Sequence, residues 1–203
     1  MNISAIDNNA DALDLVEPGS FEKKIVLVFT KHAITYKWYN SDYVFRSGIN
    51  WLKSLSLSHG DEILYGVGIN EFKGFMLFAF NNGKMAKINI KAYETKTERK
   101  QLLNAFNMDA PLIFVKYFTE DIDIGITGSN QKTLIIHTSI LHPLNTKASQ
   151  GVQVLQLKPS ILAERVFLLD EADIQDINYY KRNGAAVGYY LKPGDHFKKK
   201  ESF

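Results

Sequence analysis

The chain has 203 residues, 45% apolar and 23% charged, which suffices for a sizeable core and is ordinary for a soluble globular protein. It has no cysteine, which excludes disulfides and thiolate metal sites, and no run of about 18 apolar residues, which excludes a membrane-spanning helix. Net charge is only +2, from 24 basic and 22 acidic residues, which is weak for a nucleic-acid binder if the charge were evenly spread.

It is not evenly spread. Residues 1–22 carry Asp7, Asp11, Asp14, Glu17 and Glu22 and no Lys or Arg, so 24 basic residues face 17 acidic ones in the remainder, a balance near +7. With no basic start and no apolar stretch, this lead reads as a flexible acidic linker rather than a secretory signal. Pro18-Gly19 marks a break, and Leu13, Leu15 and Val16 could dock on the first strands beyond it. The absence of cysteine fits the cytoplasm.

From residue 23 a unit of about fifty residues recurs three times (about 23–73, 74–120 and 121–173). Its opening strands are Ile25–Thr30, Phe75–Phe80 and Ile122–Thr127, with Leu27, Leu77 and Ile124 at equivalent places, spaced 50 and 47 residues. Both faces of Ile25–Thr30 are apolar, as suits a strand covered on both sides. A short polar turn comes after each: Lys31-His32, Asn81-Asn82-Gly83 and Ser129-Asn130-Gln131. Asn82-Gly83 is a strong hairpin signal, because the turn needs a positive φ. Second strands are expected at Ala33–Trp38, Lys84–Ile90 and Thr133–Ile136, and third strands at Trp51–Leu57, Gln101–Phe106 and Gly151–Leu157. Closing strands are expected at Ile63–Ile69, Leu112–Phe118 and Val166–Leu169. Residues 98–107 also carry a helical pattern, but the repeat makes them a loop running into a strand. A short helix is possible within 170–182. Residues 174–195 are expected to cap the array, and 196–203 form a basic tail, read as frayed. The fold class is therefore all-β: a propeller-like array of about three four-stranded blades, an incomplete or open disc.

Three segments resemble a known family. Met76–Tyr93 resembles the strand-turn-strand of the C-terminal domain found in the A-type subunits of DNA gyrase and topoisomerase IV. Asn145–Leu157 resembles the basic, Gly-rich loop and strand that come next in that domain. Leu57–Leu64, with its Gly60-Asp61 step, resembles the entry to a closing strand. The resemblance covers about residues 25–170. It implies a β-pinwheel whose basic rim binds and bends duplex DNA, in a domain that is not catalytic and acts beside the catalytic core of a type IIA topoisomerase. Family discs hold more blades than the three seen. The glutamine-arginine-glycine box that wraps DNA in gyrase is reduced here to Lys147-Ala148-Ser149-Gln150-Gly151, closer to the topoisomerase IV kind or to a shortened relative.

Phosphate recognition without base reading needs Lys and Arg on one continuous surface. Candidates recur at similar places in successive units: Lys31 and Lys37, then Lys84 and Lys87, then Lys132 around the hairpins; Arg46, then Lys91, Lys96, Arg99 and Lys100, then Lys147 in the later loops. The plainer reading of each is a solubilising surface lysine. Tyr43, Tyr93 and His137 lie near the polar loops and could stack or touch phosphate, although such aromatics are more often core. The five histidines lack ligand spacing, so no metal is expected, and no cofactor or small-molecule motif is present. Gly66-Val67-Gly68 ends a strand without a helix start behind it. The reading is a non-enzymatic duplex-DNA-binding domain at the nucleoid in the cytoplasm. A protein-interaction module without a DNA role is the second reading, and an enzyme built on the blades the third.

Overall fold

The computed structural model describes residues 16–39, 61–95 and 101–198. Its strands in chain order are β1 (Ile25–Thr30), β2 (Thr35–Tyr39), β3 (Ile63–Ile69), β4 (Phe75–Phe80), β5 (Lys84–Asn89), β6 (Gln101–Leu102), β7 (Leu112–Phe118), β8 (Asp123–Gly128), β9 (Lys132–His137), β10 (Val152–Gln153), β11 (Ala163–Leu168), β12 (Ala172–Asp173), β13 (Tyr189–Tyr190) and β14 (His196–Phe197). One helical turn, α1 (Ile177–Tyr180), falls within the span read as a possible short helix. The fold is all-β. Three four-stranded antiparallel sheets run β3-β1-β2-β6, β7-β4-β5-β10 and β11-β8-β9-β13, and β12 pairs with β14.

The chain forms two compact units. One gathers the described residues of Met1–Lys73 and Ile90–Asn107, the other Gly74–Asn89 and the described residues of Met108–Phe203. In the first, β1 is buried along its whole length between β2 and β3, which is what its two apolar faces require. In the second, β4 and β8 are the equivalent central strands, and Leu77, Ile124, Ile126, Leu134, Ile136 and Val166 share one core.

Pairing differs from the chain order of the repeat in two respects. Each closing strand pairs directly with its unit's opening strand, β3 with β1, β7 with β4 and β11 with β8. The third segments are short and serve the preceding unit's sheet. Gln101–Leu102 pairs with β2, Val152–Gln153 with β5, and Tyr189–Tyr190 supplies the same strand to β9. Burial explains the first exchange. Ile90, Tyr93, Leu102, Ala105 and Phe106 are all inside the first unit; Tyr93 meets the Phe29 ring edge-on at 5.2 Å and donates its hydroxyl to Ala105 O at 2.6 Å. No helix forms over 101–107. The expected strand at 51–57 lies outside the described residues.

Register also corrects one equivalence. Leu27 faces Lys37 and Leu77 faces Lys87, but the third hairpin places Gly125, not Ile124, at that position, opposite Ile135. The spacing is thus 50 and 48. A Cβ on Gly125 would lie 2.0 Å from the Phe167 ring, so the ring occupies the volume that Leu fills in the other two sheets.

The three hairpins share one turn. Ala33 N–H donates to Thr30 O, Gly83 to Phe80 O and Gln131 to Gly128 O, and the donor has positive φ each time (54°, 78° and 63°). This is a turn closed by a left-handed residue, for which Gly is the low-cost choice. The positive φ inferred from Asn82-Gly83 falls on Gly83.

Residues 16–20 and 196–197 are held by pairing and packing where a linker and a frayed tail were expected. Val16 bridges Gly66 in parallel, Glu17 N–H donates to Gly66 O at 2.8 Å, Tyr65 donates to Glu17 Oε1 at 2.8 Å, and Gly68 N–H donates to Ser20 Oγ at 2.8 Å. The two glycines make room, since a Cβ on Gly68 would sit 2.2 Å from Ser20 O. Gly66-Val67-Gly68 is thus a docking groove for residues 16–20 along the edge of β3. At the other end, Phe197 lies edge-on to Phe167 at 5.0 Å, with the Arg165 guanidinium 4.5 Å above its ring.

Candidate nucleic-acid interface

Two of the candidate cations are true structural equivalents. Lys84 and Lys132 open β5 and β9, directly after the shared turn. Each has its backbone N–H held by the asparagine two residues earlier: Lys84 by Asn82 Oδ1 at 3.1 Å, Lys132 by Asn130 Oδ1 at 3.2 Å. The turns therefore launch both side chains from the same fixed backbone. The two hairpins flank one segment, because Cβ atoms built on Gly83 and on Gly128 would both meet Leu155 and Leu157. Ala163 N–H also donates to Asn81 O at 2.7 Å, tying β11 to the second hairpin.

The loop carrying Lys147 lies against that hairpin. Lys84 Nζ donates to Gln150 Oε1 at 3.1 Å, and Gln150 Nε2 donates to Asp109 Oδ2 at 2.6 Å. Gly151, at φ 74°, lets the loop pass so close to β5 that a Cβ would meet Met85 O at 2.1 Å. The Lys147 ammonium is pushed below its ordinary pKa by partial burial. Lys31 and Lys91 are exposed in the first unit, Lys31 paired with Glu62 at 3.4 Å. Arg46, Lys96, Arg99, Lys100 and Tyr43 lie outside the described residues.

Lys37 and Lys87 do not belong to this surface. They occupy one equivalent position and are 0% and 3% exposed. Lys37 donates to Thr95 Oγ1 at 2.8 Å, with Tyr39 and Phe72 rings 5.5 and 5.7 Å away. Lys87 donates to Asp121 Oδ1 at 2.6 Å and stands 4.4 Å from the Phe75 ring centroid. A phosphate cannot reach either ammonium in this arrangement. Burial would raise the Asp121 carboxyl, but hydrogen bonds from Lys87 and Thr138 and the Lys87 charge outweigh it and hold it below the usual carboxylate range. Tyr93 is likewise core, its hydroxyl driven well above its ordinary pKa by burial. His137 Nδ1 is within 2.7 Å of Ser139 Oγ.

The end of the array carries a group of rings and cations that the repeat pattern did not single out. Tyr179 and Tyr189 rings lie 5.0 Å apart, with Lys192 Nζ 4.0 Å from the first and the Arg182 guanidinium 4.5 Å from the second. Tyr180 is buried, donates to Asp195 Oδ2 at 2.6 Å and accepts from Lys192 N–H at 2.7 Å. Burial, then the Asp195 contact, pushes the Tyr180 hydroxyl up to about 12. Tyr190, on the neighbouring residue, is 62% exposed, with Lys132 Nζ 5.2 Å from its ring centroid. The doublets Tyr179-Tyr180 and Tyr189-Tyr190 were the available sequence signal. Among the described residues no group of three or more His, Asp or Glu could hold a metal ion, and no helix is long and apolar enough to cross a membrane.

No protein-family model matches the sequence, and no curated protein does. Solved structures do. The C-terminal domain of DNA topoisomerase IV superposes with a TM-score of 0.67 at 19% identity, over 86% of this chain and 62% of that one. The C-terminal domain of DNA gyrase A gives 0.54 at 14% identity, over 81% of this chain and 59% of that one. The E. coli ParC C-terminal domain gives 0.57 at 10% identity, over 82% and 70%. The chain thus has the all-β, four-stranded-sheet fold of these β-pinwheel domains. It spans about three fifths of the length of the first two.

Proposed function

We propose that this chain is a non-catalytic duplex-DNA-binding domain of the type found at the C-terminus of the A-type subunits of type IIA topoisomerases, bending DNA toward a catalytic core. It would work in the cytoplasm, on the nucleoid. The observation that carries this reading is the pair Lys84 and Lys132, two partly exposed cations launched from equivalent asparagine-capped turns in a fold shared with those domains. Lys147, Lys31 and Lys91 add exposed or part-exposed charge, and Arg46, Arg99 and Lys100 remain candidates from the sequence. Contacts of this kind are to phosphate, so selection comes from DNA shape and deformability rather than base edges.

The test is fluorescence anisotropy on a 40-base-pair duplex at low salt. Lys84→Glu with Lys132→Glu weakens binding about tenfold or more, equally for unrelated sequences, and each charge removed flattens the salt slope by about one. Unaltered affinity in a folded double variant contradicts the reading. A second reading, a protein-interaction module, is favoured by the exposure of Val152, Leu162 and Val187, each about half open to solvent. It predicts binding to a protein partner that charge reversal at Lys84 and Lys132 leaves unchanged.

A further inference from the structure

β13 is an edge strand only two residues long, and its two tyrosines do different things. Successive residues of a strand point to opposite faces. Tyr189 supplies the anchoring: its ring meets Tyr179 at 5.0 Å and Arg182 at 4.5 Å, and the Tyr180–Asp195 hydrogen bond locks the chain on either side. The cations there are already engaged. Arg182 donates to Tyr179 O and Lys181 O, and Lys192 pairs with Asp176 at 2.9 Å.

Tyr190 does none of this work. The residue is 62% exposed, and its ring's contact is Lys132, directly across the ladder. Lys132 has no carboxylate within ion-pair reach among the described residues. The scaffold does not demand an aromatic there, because the equivalent residue in the second sheet, opposite Lys84, is Gln153. An open ring on a paired strand beside an ammonium with no carboxylate partner is the combination that single-stranded nucleic acids use: the ring stacks on a base face and the cation meets the adjoining phosphate. Intact duplex hides its base faces, so such a ring has a partner only where bases are unpaired.

We propose that Tyr190 and Lys132 form a stacking site for unpaired nucleotides, which would make this domain favour gapped or locally opened DNA over intact duplex. The proposal deepens the DNA reading through the shared Lys132, and its test separates the two. Anisotropy is measured on a 40-base-pair duplex and on the same duplex carrying a single-stranded gap of six thymidines. The wild-type chain binds the gapped DNA about fivefold or more tightly, the scale of one stacked base. Tyr190→Ala loses that preference while keeping its affinity for intact duplex, and Tyr190→Phe retains the preference. Tyr190→Gln, which copies the second sheet, serves as a variant the fold already accommodates and loses the preference too. Equal affinity of the wild type for both DNAs, or a preference that survives in Tyr190→Ala and Tyr190→Gln, overturns the proposal and leaves the duplex reading standing. Binding to gapped DNA alone overturns the duplex reading and keeps this one. Binding to neither overturns both.

Discussion

Lys37 and Lys87 show how a residue type can mislead when its strand is ignored. Lysines in register across two repeats look like a basic rim, but both sit mid-strand in sheets whose central strand is buried on both faces. In Met85-Ala86-Lys87-Ile88 the lysine is flanked by buried residues, and the strand has no solvent side for it to reach. The apolar character of Ile25–Thr30 was already the signal; applied to its hairpin partner, it places Lys37 inside. What the sequence could not reveal is the compensation, Asp121 with Thr138 for one ammonium and Thr95 with two rings for the other. Replacing Lys87 by Met leaves Asp121 without its cation. Because that carboxylate is partly exposed, we expect a loss of about 2–3 kcal/mol, at the low end for a broken buried pair, and a Tm about 5–10 °C lower. The pH dependence comes from the depressed folded pKa of Asp121. Its contribution is complete above the unfolded value near 4 and is lost as pH falls through the folded value. The stability gap between wild type and Lys87→Met therefore narrows below about pH 4, as chemical denaturation at pH 7 and pH 3 would read. A gap independent of pH contradicts the assignment. At Gln131 the φ of 63° is unfavourable for a side chain, so Gln131→Gly should raise stability by about 1 kcal/mol and Tm by about 2–4 °C.

Among elements, the hairpins were legible and the exchanges were not. β1, β3, β4 and β7 begin and end where alternation and turn residues put them, because each hairpin is a local object set by strand pattern and turn chemistry. The destination of Gln101–Leu102 depends on Tyr93 and Ala105 finding Phe29 and Ala33, contacts of long sequence separation that no local pattern encodes. The lead is a second case. Gly66-Val67-Gly68 ends a strand with no helix start behind it, and its glycines are needed because residues 16–20 lie against them. Gly68→Ala would drive a methyl group into the Ser20 backbone. We expect it to release residues 16–20 and cost about 1–3 kcal/mol, the scale of overpacking. Hydrogen exchange should then lose protection at the amides of Glu17 and of residue 68 while β1 stays protected. Unchanged protection at Glu17 would contradict the docking.

At the scale of the molecule, the net charge of +2 does not describe how charge is placed on the surface. The acidic lead offsets basic residues elsewhere, Lys37 and Lys87 are inside, and Lys181, Lys192 and Lys198 pair locally with Asp123, Asp176 and Asp173. The cations left for a partner are fewer than the sequence suggested, and the best placed are those of the asparagine-capped hairpins. Under the proposed DNA reading, that distribution would give modest, geometry-led binding rather than tight wrapping. The most direct measurement of this claim is the affinity of the whole chain for a 40-base-pair duplex across a range of salt concentrations. Log affinity should fall linearly with log salt, with a slope of about −2 to −4, equivalent to a few phosphates at about 0.9 each. Binding that is absent at low salt, or that does not change with salt, contradicts it.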